Sequence, residues 1–236
     1  MKDFTRRDFI SLATKLFAGA AVFGIAPNFA EAAEKIMDSE KKITLEETFL
    51  NADDAAKEIL PFEMPKISKF KSLGELHISE KNLKFASYMG QRPFTSAIVI
   101  HHAGMTRNED MSLAAIHKLH LGNGWAGVGY HFIVHKNGTI DQARPIDRIG
   151  AHAYANNRYT VGICMTGNLD IGVPTVEQTL STENLVAALC HQYDIEPSMS
   201  TIYGHRDLCA TSCPGYNFYP RIPELVKNVS RAVRQA

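Results

Sequence analysis

Four consecutive apolar residues, Ala97-Ile98-Val99-Ile100, give a strand no polar side to turn toward water. Side chains alternate across a strand, so both faces of this one must be covered. Val161-Gly162-Ile163-Cys164-Met165 repeats the pattern. Strands of this kind require a sheet with layers on both sides, and helical segments are available to build them. Residues 111–121 place Leu113, Ile116 and Leu119 or His120 near helical spacing, with Asp110 as a cap and Gly122 as a stop. A second helix is predicted from a Thr182 cap to about Tyr193, with Leu185, Leu189 and Cys190 on one side, and a closing helix over 222–233. Residues 130–135 read as a strand, Asn137-Gly138 as the turn of a tight hairpin, and 139–143 as the returning partner. The expected fold class is α/β, a single domain over residues 85–236 with a central mixed sheet flanked by helices.

The first 84 residues read differently. Arg6-Arg7 precede a weakly apolar run over 11–26 that carries Lys15 and is too short to span a membrane comfortably. It ends at Ala30-Glu31-Ala32, small residues suited to a signal peptidase. Residues 1–32 resemble a twin-arginine export signal, with an uncleaved anchor helix as the alternative. The mature chain is therefore expected to be periplasmic or secreted, without stable membrane insertion. Residues 33–84 are charged and poor in aromatics, and are expected to pack loosely as an extension. Short amphipathic helices are expected near 45–50 and 54–60, stopped by Pro61 and Pro65, with His77 on the surface.

Basic and acidic residues balance at 25 each, so nothing pulls this chain toward nucleic acid. Four cysteines are too few for a disulfide scaffold, which leaves the ten histidines as the main chemical signal. His101-His102 ends the first buried strand, where alternation allows only one of the pair to enter a given site. Far downstream, His205 and Cys213 lie eight residues apart in a loop bounded by Gly204, Pro214 and Gly215. Such a loop can fold back on one metal ion, and imidazole with thiolate suits zinc. A strand-end histidine would be the third ligand, leaving the fourth position for water, as in catalytic zinc sites.

Taken in order, Ile98-Val99-Ile100-His101-His102, Gly129-Tyr130-His131-Phe132, Ile149-Gly150-Ala151-His152-Ala153, Val161-Gly162-Ile163 and Gly204-His205-Arg206-Asp207 through Cys213-Pro214-Gly215 form a specific set. The set resembles the N-acetylmuramoyl-L-alanine amidase type 2 family, which includes phage lysozyme-amidases and animal peptidoglycan recognition proteins. The resemblance covers about half the chain. It implies a groove for glycan and stem peptide, and one zinc ion per chain on His101, His205 and Cys213. It also implies hydrolysis of the amide between the muramic acid lactyl group and L-alanine, with a non-catalytic peptidoglycan-binding protein of the same fold as the alternative.

Within that resemblance Tyr130 matches the site tyrosine, whose hydroxyl is expected to bind water or the oxyanion. His152 matches a histidine near the substrate and is expected to orient it or carry protons. Thr211 stands where phage members carry lysine and offers a weaker donor. His102 is expected to pack or hydrogen-bond on the opposite face. Alternation places Tyr130 with Phe132, and His131 on the other side as a supporting or core residue. Trp125 lines the groove or anchors the core. Cys164 and Cys190 are expected to behave as small buried hydrophobes. Cys209 is the open question: it is placed either to pair with Cys213 and destroy the site or to serve as an alternative thiolate.

Overall fold

The computed structural model describes residues 58–236. The twin-arginine segment, its cleavage site and the first amphipathic stretch lie outside the described residues. Of the second stretch, 58–60 carry no helix. The described chain builds a six-stranded mixed sheet from β1 (Ile78–Glu80), β2 (Ala97–His102), β3 (Phe132–Val134), β4 (Ile140–Gln142), β5 (Thr160–Met165) and β6 (Ile202–Gly204). The spatial order is β1-β4-β3-β5-β2-β6. Only the β3–β4 hairpin is antiparallel; every other neighbouring pair runs parallel. Among the described residues three α-helices flank the sheet: α1 (Leu113–Gly122), α2 (Val176–Gln192) and α3 (Ile222–Val233).

The two apolar strands sit side by side in the middle of the sheet, β2 between β5 and β6, and every residue of both is buried. Ile98 and Ile100 of β2, with Phe132, Val134, Ile163 and Met165, join Leu185 and Leu189 of α2 and Leu225 and Val229 of α3 in the main core. Ile133 and Cys164 belong to a smaller cluster with Leu113 and Ile116 of α1. Each fully buried isoleucine or leucine contributes roughly 1.5–3 kcal/mol, which explains why β2 is apolar up to its histidine pair.

Helix α2 starts seven residues earlier than its apolar spacing suggests, at Val176, with the Thr175 side chain accepting from Gln178 N at 3.0 Å. Its first two turns bury Gln178, Thr179, Thr182 and Glu183, so polar residues occupy the core side and hide the period. Gln178 Nε2 donates to the Val134 and Thr166 carbonyls at 2.8 and 3.1 Å, tying the helix to the sheet. Thr182, the expected cap, instead bonds back to the Gln178 carbonyl at 2.8 Å. Ser112 rather than Asp110 caps α1, because the Asp110 carboxylate is engaged by His135 at 3.0 Å. Of the two alternatives on α1, His120 is buried and Leu119 exposed.

The described part of the segment before β2, from residue 58 on, is not loose. Met64 and Ile67 are buried in the main core, and β1 adds a strand beside β4. Arg221 donates to the Phe62 and Leu60 carbonyls, Asn217 Oδ1 accepts from Leu60 N, and Asn228 donates to the Pro65 carbonyl. Single apolar anchors among lysines and glutamates carry no period, so composition alone reads them as solvent-facing chain.

Candidate metal centre

The histidine pair lies at the end of β2, where His101 registers with Cys164 of β5 and His102 with Met165. Strand alternation sends the two rings apart. His102 Nδ1 accepts from Leu169 N at 2.9 Å, and its backbone N–H points at Cys213 Sγ at 3.4 Å. His102 thus holds the surroundings of the site. The His101 ring, fully buried, turns the other way, with Nδ1 at 3.6 Å from Cys213 Sγ.

His205 opens the turn that follows β6, where Asp207 accepts from Gly204 N at 2.8 Å. Arg206 N then donates to the Cys213 carbonyl at 2.8 Å, closing the 205–213 loop on itself. Asp170 secures the far side of that loop, accepting from Ser212 Oγ at 2.9 Å and Tyr216 N at 2.8 Å. Gly215 takes φ +106°, and a Cβ there would lie 2.5 Å from the Leu169 backbone, so only glycine permits this approach. The loop brings His205 and Cys213 to His101, with one donor atom from each within 4.8 Å of the others.

This donor set fits zinc. Bond lengths of about 2.0–2.1 Å to nitrogen and about 2.3 Å to sulfur, at a tetrahedral angle, place N and S about 3.6 Å apart. That matches the His101–Cys213 separation. Burial, reinforced by His152 and His205, holds His101 neutral well below its ordinary range, and burial lowers His205 as well. Neutral imidazoles are the form that binds a cation. Burial pushes the Cys213 thiol up to about 12, so its proton leaves only against a positive partner. All four cysteines are free, including Cys209 and Cys213.

Tyr130 lies beside the cluster, its ring 5.0 Å from His101 and 5.5 Å from His120. It packs with the α1 side while Phe132 lies in the main core, so the alternation expected between them fails. The reason is local: β3 begins only at Phe132, and the chain before it is irregular. Tyr130 packs against the cluster that contains Cys164, and burial raises both groups well above their ordinary values. His131 is fully buried, accepting from Gly162 N at 3.0 Å and donating to the Arg148 carbonyl at 2.9 Å. Thr211 is half-buried, its hydroxyl accepting from Cys213 N at 3.2 Å.

A groove of about 680 Å³ runs past the cluster, lined by Tyr88, Trp125, Arg144, Tyr154, Asn157 and Cys209 together with His152 and His205. Tyr88 and Tyr154 are almost fully exposed, and Trp125 stands half out of the surface with its edge on His120. Trp125 thus belongs to the groove, not the core. Cys190 is a buried core residue; Cys209 is half-buried at the groove wall. His77 is exposed, as expected.

Comparison with known proteins agrees with this geometry. The N-acetylmuramoyl-L-alanine amidase family profile matches residues 90–216. The endolysin of Klebsiella phage KP32 is 28% identical over 128 residues, 54% of this chain and 85% of that one. The N-acetylmuramoyl-L-alanine amidase LysC from Clostridium intestinale superposes with a TM-score of 0.58 at 32% identity, over 64% of this chain and 97% of that one. A Drosophila PGRP-LB variant, solved in complex with tracheal cytotoxin, gives 0.53 at 26% identity over 61% and 92%. With the profile spanning just over half the sequence and the two histidines and cysteine assembled at the sheet's edge, this chain belongs to the N-acetylmuramoyl-L-alanine amidase family.

Proposed function

We propose that this protein is a zinc-dependent amidase that cleaves the bond between the muramic acid lactyl group and L-alanine of peptidoglycan. The observation that carries the reading is the convergence of His101, His205 and Cys213 beside an open groove. When bound there, zinc supplies Lewis acidity toward a carbonyl and makes water more acidic. The chain's own residues do the rest. The groove aromatics Trp125 and Tyr154 offer flat apolar faces against which sugar rings can lie. Burial keeps the Tyr130 phenol protonated at neutral pH, which fits a donor to the developing oxyanion and not a base. Thr211, whose hydroxyl oxygen already accepts from Cys213 N, retains its own proton as a second donor.

Export follows from the substrate's location and from Arg6-Arg7 with Ala30-Glu31-Ala32. The enzyme then acts in the periplasm or outside the cell. Replacing Arg6 and Arg7 by lysine and following the chain by cell fractionation tests this part; unchanged export sinks it.

Mass spectrometry of muropeptides incubated with the purified protein, with and without chelator, tests the reaction. Free stem peptides with intact sugars, abolished by chelator and restored by zinc, are expected. Binding of muropeptides without cleavage at any zinc level would leave a recognition protein on the same fold.

A further inference from the structure

His152 is only 7% exposed, and both its ring nitrogens are occupied. Nδ1 lies 3.1 Å from His101 Nε2, and Nε2 lies 3.5 Å from Thr160 Oγ1. The ring sits in a slot that two glycines leave open. A Cβ at Gly150 would come within 2.4 Å of His152 Cδ2, and one at Gly162 within 2.5 Å of His152 Cγ. Asn157 Oδ1 accepts from both His152 N at 2.8 Å and Ala153 N at 3.0 Å, fixing the backbone under the ring.

Hydrogen-bond accounting assigns each proton in this chain of groups. Thr160 Oγ1 donates its proton to the Asn156 carbonyl at 2.8 Å, so only its lone pairs remain for His152. His152 Nε2 must then carry the hydrogen, which leaves Nδ1 as an acceptor. An acceptor at Nδ1 requires His101 Nε2 to be the N–H. The lone pair of His101 is therefore on Nδ1, the nitrogen that faces Cys213 Sγ.

We propose that His152 is a positioning residue: it accepts the Nε2–H of His101 and so fixes Nδ1 as the nitrogen presented to the metal. The relay runs from the carbonyl of half-buried Asn156 through the buried Thr160 and His152 to His101. His152 acts through His101 and not on the substrate. Partners of this kind fix the orientation and basicity of a metal-binding histidine, and losing one costs about 10–100-fold in metal affinity. The inference rests on the three-residue metal centre proposed above, and not on the identity of the substrate.

The test is zinc affinity of the full chain, measured by competition with a chromophoric chelator. His152→Leu removes the acceptor, and His152→Asn returns an oxygen near the place of Nδ1. A 10–100-fold weaker zinc affinity in the leucine variant, largely restored in the asparagine variant, is expected. Equal affinity in wild type and a folded His152→Leu overturns the proposal, as does equal loss in both variants. Long-range ¹⁵N NMR of the wild-type His101 ring gives a reading that needs no variant. The Nε2–H tautomer is expected in the zinc-loaded chain, and an Nδ1–H tautomer refutes the relay. A chain that passes these tests yet releases no stem peptide would sink the amidase reading alone.

Discussion

Glu183 lies in α2 with no exposed surface, and Arg231 offsets its buried charge only weakly. Its Oε1 accepts from Asn228 Nδ2 at 2.8 Å, while Oε2 has no hydrogen-bond partner. Burial, partly offset by the Asn228 hydrogen bond, pushes the carboxyl from 4.5 up to about 7. The folded chain therefore keeps a proton that the unfolded chain releases above pH 4.5. The contribution of this one group to stability must fall as pH rises from 4.5 to about 7 and then level off. At about 1.4 kcal/mol per pH unit, that interval amounts to about 3 kcal/mol, of the order of a quarter or more of a domain's usual stability. Glutamine removes the titration but keeps Oε1 for Asn228, and its amide nitrogen is as unpartnered as the protonated Oε2. Urea unfolding of wild type and Glu183→Gln near pH 5 and near pH 8.5, at fixed zinc, isolates this group because all other titrations cancel in the difference. Near pH 5 the two chains should differ by less than about 1 kcal/mol. Near pH 8.5 the glutamine chain should be more stable by about 3 kcal/mol. An advantage that is absent, or the same at both pH values, refutes the reasoning.

Other expectations concern the site and its supports. Tyr130→Phe should fold and keep its zinc while losing roughly 10²–10³ in turnover, whereas Cys213→Ala should lose the metal; metal content and muropeptide kinetics together separate the two. Asp170 accepts from residues on both sides of Cys213, so Asp170→Ala should cost roughly 2–3 kcal/mol of stability in thermal unfolding and weaken zinc binding, with Asp170→Asn milder. An alanine variant with wild-type stability would count against that anchoring. Burial depresses His120 to about 4 and His131 to about 3, so the unfolded chain binds more protons below pH 6.5. Together these two histidines should remove about 3 kcal/mol of stability per pH unit between 6.5 and about 4, outweighing the opposite slope of Glu183. Urea midpoints that stay flat over that range would contradict it.

Much of this molecule is readable from local pattern. The apolar runs at 97–100 and 161–165 specify strands covered on both faces, because an all-apolar segment has only one stable environment. Imidazole and thiolate types suit zinc whatever the fold, but the choice of His101 with His205 and Cys213 came from the family resemblance. Local pattern failed wherever burial was purchased with hydrogen bonds instead of hydrocarbon. Gln178, Thr182 and Glu183 face the core, so the start of α2 was invisible, and the anchors Met64 and Ile67 were hidden among charges. Tyr130 was legible as a site residue but not its direction, because alternation holds only inside a regular strand.

Local pattern thus specifies the covered strands and the types of donor a metal would meet. Only tertiary structure decided which donors meet and which nitrogen each presents. β2 and β6 are parallel neighbours, and that pairing carries His205 to within reach of His101 although 104 residues of chain separate them. The engagement of His152 by His101 and the packing of Tyr130 against the Cys164 cluster have the same origin. Such contacts are made across the sheet, between side chains whose own neighbours in the chain carry no information about them.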